Sequence, residues 1–360
     1  MKTELSSVDL RVLVRELKGM ILGSRVDKVY LVGERELLIK LYGKGSLDLV
    51  CAPNFICVTR YKRAAPERPD SFVMQLRKHL RGSFVRDVVQ HGFDRIIELH
   101  LDNHILILEL FSKGNVILCD KNMKILGLLD WQKWRDRVLG VGRTYDYPPS
   151  VVNPFEVDEV KFIEVMSGSG RGVASTLATK FSLGGFYAEQ VCAKAGLDPK
   201  AGWGESDGSV LWDALCDFTL QADSEVEARL SADNVTPFGK GGKGYQTFNE
   251  AVDEYFSMRE SEQSKADVES NVAGKRKKIG EIIKKQEDAL ARAREGVGAE
   301  KMKGDTLYQA MNEVNAIVSY VKEERRKGAS DSEILECLKS HSIVKGLDGF
   351  ILTLEFDNEG

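Results

Sequence analysis

VDKVYLVGERELLIKLY, residues Val26 to Tyr42, decides the fold class. Apolar and polar residues alternate on both sides of Gly33, which is the pattern of two strands joined by a turn. The period lengthens upstream. Leu10, Leu13, Val14, Leu17 and Ile21 recur at helical spacing, Ser6 and Asp9 have the layout of a capping box, and Gly23 ends the helix. Downstream, Leu47 to Cys51 and Phe55 to Thr59 continue as strands, and a loop with Pro66 and Pro69 follows. Asp70 or Ser71 then caps a short helix with Phe72, Leu76 and Leu80 on one face and Arg77, Lys78 and Arg81 around it. Further strands are predicted at Phe84 to Val89, Arg95 to Leu101, His104 to Phe111, Val116 to Asp120 and Ile125 to Leu129. Residues 1–150 therefore read as an α+β domain of meandering, antiparallel strands.

The rest of the chain changes character. Residues 151–235 read as short helices broken by glycines, and 236–247 as a glycine-rich linker running through Phe238-Gly239-Lys240-Gly241-Gly242-Lys243-Gly244. A long helical pattern begins at Phe248. Ile279, Ile282, Ile283, Gln286 and Leu290 continue it amid alternating charges, which predicts a coiled-coil arm over 248–300, interrupted by Gly296 and Gly298. Residues 301–360 read as a small domain of two helices, Leu307 to Lys327 and Ser332 to Ser340, ending in a strand from Phe350 to Phe356.

Composition narrows the function. With 360 residues, 42% hydrophobic and 29% charged, the chain has the balance of a multi-domain globular protein. No apolar run approaches the roughly eighteen residues a membrane helix needs, and the start has no secretory layout, so a cytoplasmic location is expected. Six scattered cysteines read as buried free thiols. The net charge of −4 hides an asymmetry: residues 1–150 carry 25 Lys/Arg against 18 Asp/Glu, and the remainder carries 26 against 37. A basic front half on an acidic chain points to a local anionic partner, although solvated surface charge is the plainer account.

Three constellations invite chemistry. Leu183-Gly184-Gly185-Phe186-Tyr187 between helical patterns looks like a helix-hairpin-helix turn, whose glycines would bare amides to a phosphate; a tight packing turn explains it equally well. In Gln90-His91-Gly92-Phe93-Asp94-Arg95, Asp94 beside Arg95 could orient a guanidinium toward phosphate or ribose. By chemistry alone, an exposed aspartate followed by an arginine with a buried stem is the blander outcome. Asp9 reads first as a helix cap. His100 and His104 flank Asp102 without a third ligand at fixed spacing, so neither a metal nor another cofactor is expected. No nucleophile elbow, phosphate loop or dinucleotide fingerprint is present, which argues against an ordinary enzyme.

Taken in order, these strings resemble the NFACT family of ribosome quality-control factors, which includes proteins known as RqcH and NEMF and is also labelled fibronectin-binding protein A. The resemblance is carried by Ser6 to Leu10, Gly23 to Tyr30, Leu76 to Leu80, Gln90 to Arg95, Phe111 to Asn115, Leu183 to Ala188, Phe248 to Phe256 and Lys303 to Tyr308. It implies an amino-terminal domain, a helix-hairpin-helix domain, and a coiled-coil arm with a small middle domain. It also implies partners: a large ribosomal subunit still carrying peptidyl-tRNA, and an incoming aminoacyl-tRNA. The nascent chain is then extended without a template, alanine being prominent, and the peptide bond is the ribosome's work. The family's functional aspartate and Asp-Arg pair fall on Asp9, Asp94 and Arg95; Arg77 and Lys78 are expected as neighbouring basic contacts to tRNA, and Gly184 and Gly185 as a candidate phosphate-binding hairpin. No counterpart of the family's later RNA-binding and carboxyl-terminal domains is visible, nor a returning arm helix, so a fragment of a longer protein is expected. A glycosylase reading fails because Lys2 and Thr3 stand where those enzymes carry a Pro-Glu pair. An adhesin would need an export device, and a generic scaffold would lack the Asp94–Arg95 site.

Overall fold

The computed structural model describes residues 1–356 except positions 34, 67, 135, 136, 205, 206 and 225, and the backbone alone at 261–271 and 273. The chain is α+β and divides into two compact units, Met1–Ser264 and Lys265–Gly360.

In the first unit, helix α1 (Ser7–Ile21) is closed by the expected capping box of Ser6 and Asp9. Strands β1 (Arg25–Val32), β2 (Glu36–Tyr42), β3 (Ser46–Cys51) and β4 (Ile56–Thr59) form an antiparallel meander in chain order. Helix α2 (Ser71–Leu80) starts at Asp70, whose carboxylate accepts from the Val73 amide at 2.7 Å. A second meander follows in chain order: β5 (Val85–Gln90), β6 (Ile96–Leu101), β7 (His104–Glu109), β8 (Asn115–Asp120) and β9 (Ile125–Leu128). Leu106 and Leu108 of β7 enter a core shared with α1, α2 and the first sheet, whereas Ile107 faces a smaller cluster with Leu139 and Tyr145. Both faces are covered, which is why the strand reads as a continuous apolar run. The small hairpin of β10 (Gln132–Lys133) and β11 (Val138–Leu139) follows.

Helices α3 (Glu159–Ser167), α4 (Val173–Lys180), α5 (Gly185–Ala195) and α6 (Gly208–Asp223) build a second core around Phe162, Leu177, Phe181, Tyr187 and Phe218. That core also takes in Val8 of α1 and Phe93 of the β5–β6 turn, so the helices are continuous with the α+β region within one unit. The stretch 236–247 differs from the linker that was expected. Strands β12 (Arg229–Leu230), β13 (Val235–Thr236) and β14 (Lys243–Gly244) form a three-stranded sheet ordered β13-β12-β14, and Val235 and Phe238 are buried in the two cores. Gly242 serves close approach: a Cβ there, at φ +74°, would fall 2.3 Å from the Leu230 carbonyl oxygen.

Helix α7 (Phe248–Gln309) begins in the first unit, where Phe248, Ala251, Val252, Tyr255 and Phe256 are buried. Asn249 exchanges two hydrogen bonds with the Val58 backbone (2.8 and 2.9 Å), and Asp253 accepts from the Thr59 hydroxyl at 2.6 Å and the Arg60 amide at 2.9 Å. The open edge of β4 is thereby closed by side chains of a helix. Gly296 and Gly298 do not interrupt α7, contrary to expectation, since glycine costs a helix only about 1 kcal/mol. The second unit continues with α8 (Met311–Arg326), α9 (Asp331–Leu338) and the hairpin β15 (Val344–Asp348) and β16 (Ile351–Leu354), around Ile317, Val321, Ile334 and Leu338. Among the described residues, no helix is long and apolar enough to cross a membrane. Cys51, Cys57, Cys119 and Cys192 are buried free thiols, whereas Cys216 is partly exposed and Cys337 exposed.

Candidate nucleic-acid interface

Asp94 and Arg95 sit in the turn between β5 and β6, one residue short of the strand in which Arg95 was expected. Gly92 takes φ +52° to make the turn, and Phe93 is buried against Phe155 at a ring separation of 5.3 Å. The Gln90 amide donates to the carbonyls of Ser7 (3.0 Å) and Asp94 (2.9 Å), which ties the turn to the start of α1. The His91 ring stacks on Tyr147 at 3.4 Å and lies 3.2 Å from Glu98. Glu98 also accepts from the Tyr147 hydroxyl at 2.7 Å and lies 2.9 Å from His100. On this packed base Asp94 stays half-buried, and burial raises its carboxyl above the usual range while nearby His91 opposes the shift. Arg95 is 27% exposed at its side chain and pairs with Glu4 at 2.5 Å.

Arg95 opens on a cavity of about 830 Å³. Its wall includes Lys2, Gly184, Gly185, Arg229, Asn234 and Lys240. Gly184, at φ +77°, precedes α5, and no side chain caps that helix, so its first amides are free for an anion. Lys240 is exposed, with no ion pair among the described residues. Arg229 pairs with Glu227 at 3.3 Å, while its buried Nε and the Oδ1 of Asn234 have no hydrogen-bond partner among the described residues.

Asp9 does not reach this surface. It is fully buried and accepts from Lys2 Nζ (2.8 Å), the Ser6 amide and hydroxyl (2.7 Å each) and the Tyr187 hydroxyl (2.6 Å). A carboxylate with all its acceptor sites engaged has none left for RNA. Its work is positioning: it joins the chain start, α1 and α5, and so holds the mouth of the Gly184–Gly185 turn. Arg77 and Lys78 lie outside the cavity wall. Arg77 donates to the Val29 carbonyl at 2.8 Å and rests 4.9 Å from the Tyr30 ring centroid, while Lys78 is exposed on α2. The structure thus brings Arg95, Gly184 and Gly185 together, with Asp9 beneath them. Asp94 is adjacent but outside the lining, and Arg77 and Lys78 are elsewhere. Reading the sequence missed Lys2, Tyr187, Arg229, Asn234 and Lys240. Lys240, embedded in a glycine run, carried the one signal that pointed to an anion. His100 and His104 turn to different partners, Glu98 and His79.

Residues 6–338 match the family model for the NFACT N-terminal and middle domains. The chain belongs to the NFACT family. Among its relatives, the archaeal Rqc2 homolog aRqcH of Methanocaldococcus jannaschii is 27% identical over 96% of this chain and 56% of its own length. The human ribosome quality control complex subunit NEMF is 24% identical over 89% of this chain and 34% of its own. The Rqc2 homolog RqcH of Streptococcus pneumoniae is 30% identical over 43% of this chain and 32% of its own. This NFACT chain therefore spans between about a third and just over half the length of these relatives. Its fold is also that of the N-terminal part of a fibronectin/fibrinogen-binding protein from Streptococcus suis. That structure has a TM-score of 0.60 at 22% identity, covering 71% of this chain and 99% of that one.

Proposed function

We propose that this NFACT chain is the tRNA-engaging part of a cytoplasmic ribosome quality-control factor. In this reading the factor holds a large ribosomal subunit that still carries peptidyl-tRNA, and it recruits aminoacyl-tRNA for template-free, alanine-type tailing. The ribosome makes the peptide bond, and the protein supplies binding and placement. One observation carries the reading: Arg95, Lys2, Arg229, Lys240 and the uncapped start of α5 line one cavity together with the acids Glu4 and Asp233. Arg95, Lys2 and Arg229 are paired with Glu4, Asp9 and Glu227, whereas Lys240 has no ion pair among the described residues. Such a mixture of cations and bare amides suits the phosphate backbone of structured RNA, which is held mainly by charge and shape. α4, the Gly184–Gly185 turn and α5 serve as the helix-hairpin-helix. The apolar stripe of α7, with Ile279, Ile283, Leu290 and Val297 about half or more exposed, serves as one strand of a coiled coil.

Filter binding of a defined elongator tRNA to the wild type and to R95A/K240A tests the reading. Removing two phosphate contacts should weaken binding roughly tenfold at moderate salt and flatten its salt dependence. Equal binding by both proteins would reject the cavity as the RNA site. In cells, D94A/R95A in the full-length factor should still sediment with large subunits yet leave nascent chains untailed; unchanged tails would reject the recruiting role.

A further inference from the structure

The β10–β11 hairpin carries an aromatic feature the cavity does not use. Trp131 directly precedes β10 and is 65% exposed. Its indole Nε1 lies 3.2 Å from where a Gly140 Cβ would stand, and the Arg143 Cδ lies 3.8 Å from the same point, so the indole and the arginine stem flank Gly140. Among the described residues, no ring or guanidinium stacks on Trp131. Trp134 differs: the Arg137 guanidinium covers it at 5.4 Å and continues to Tyr145 at 4.9 Å. Lys133 ends β10, two residues beyond Trp131. Lys124 stands beside this segment through the Lys124–Thr144 bridge. Lys124, Lys133 and Arg143 are all exposed and have no ion pair among the described residues. Of the acids near this segment, Asp130 pairs with Arg35, Asp120 accepts from the amides of Asn122 and Lys124, and Asp146 is exposed.

A solvent-exposed indole beside the Arg143 stem, with Lys133 two residues along the chain and Lys124 bridged to Thr144, is complementary to a flat, polyanionic partner. An apolar protein surface would satisfy the ring and leave the lysines and the arginine desolvated. We propose that Trp131 is a stacking platform for an unpaired base of bound RNA, with Lys133 and Arg143 on the flanking phosphates. The site is separate in residues from the Arg95 cavity, and the proposal rests on the RNA reading above while naming a distinct contact.

The test uses the full chain with two labelled probes, a single-stranded decauridine and an elongator tRNA. W131A should lose roughly 5- to 100-fold in affinity for decauridine, W131F should stay within about threefold, and K133Q/R143Q should lower the salt slope by roughly 1.4. Binding should quench tryptophan emission in the wild type, and the quench should vanish in W131F although binding persists. Wild-type affinity in W131A, or an undiminished quench in W131F, would overturn the platform. If tRNA binding depends on Arg95 and Lys240 while W131A changes nothing, this inference fails and the cavity reading stands. If decauridine binding depends on Trp131 while R95A/K240A leaves tRNA binding intact, the cavity reading fails instead. Binding of neither probe by the wild type rejects both.

Discussion

Asp9 shows how one residue can be marked by the sequence and reassigned by the fold. The Ser6-x-x-Asp9 spacing identifies a capping box, and the structure contains one. Local spacing is silent about Lys2 and about Tyr187, which lies 178 positions away and donates a 2.6 Å hydrogen bond to the same carboxylate. A buried charge stripped of its partner is costly, so D9A should destabilise the chain by about 3 kcal/mol, because Lys2 would be left without a counter-charge. Y187F removes one hydrogen bond and should cost about 1 kcal/mol. Urea titration followed by circular dichroism measures both. A loss below about 0.5 kcal/mol in D9A would remove the carboxylate from its positioning role.

Elements were legible where periodicity was local. The capped helices α1 and α2 and both meanders follow the alternation of their residues. The glycine run at 239–244 misled because flexibility and close approach have the same residue signature. A linker uses glycine for freedom, whereas Gly242 uses it to let β14 pass the Leu230 carbonyl. The two uses separate on mutation. G242A should destabilise the protein by roughly 2 kcal/mol or more through the φ +74° conformation and the 2.3 Å approach. G298A, in an exposed stretch of α7, should raise helicity and stability by up to about 1 kcal/mol. Thermal unfolding of the two variants should shift in opposite directions, and a neutral G242A would restore the linker reading.

At the scale of the whole molecule, the chain divides within a helix and not at a loop. From 274 to 305 every residue of α7 is exposed, so this stretch of helix has no core of its own. Helices without tertiary packing open locally far more readily than core elements. Limited trypsinolysis should therefore cut first among Lys275, Arg276, Lys277 and Lys278, leaving a resistant fragment that contains the first unit. Early cleavage inside β1 to β9 would contradict that division. The sequence by itself determined the α+β class, the two meanders, the capped helices α1 and α2 and the glycine turn at 184, because each depends on neighbours a few residues apart, and it pointed to the family through strings spread along the chain. Only the tertiary structure decided that Asp9 is buried, that Arg95 meets Lys240 and α5 around one cavity, and that Asn249 and Asp253 close the edge of β4. Those outcomes depend on groups far apart in the chain meeting where water is excluded, and burial of that kind has no local signature.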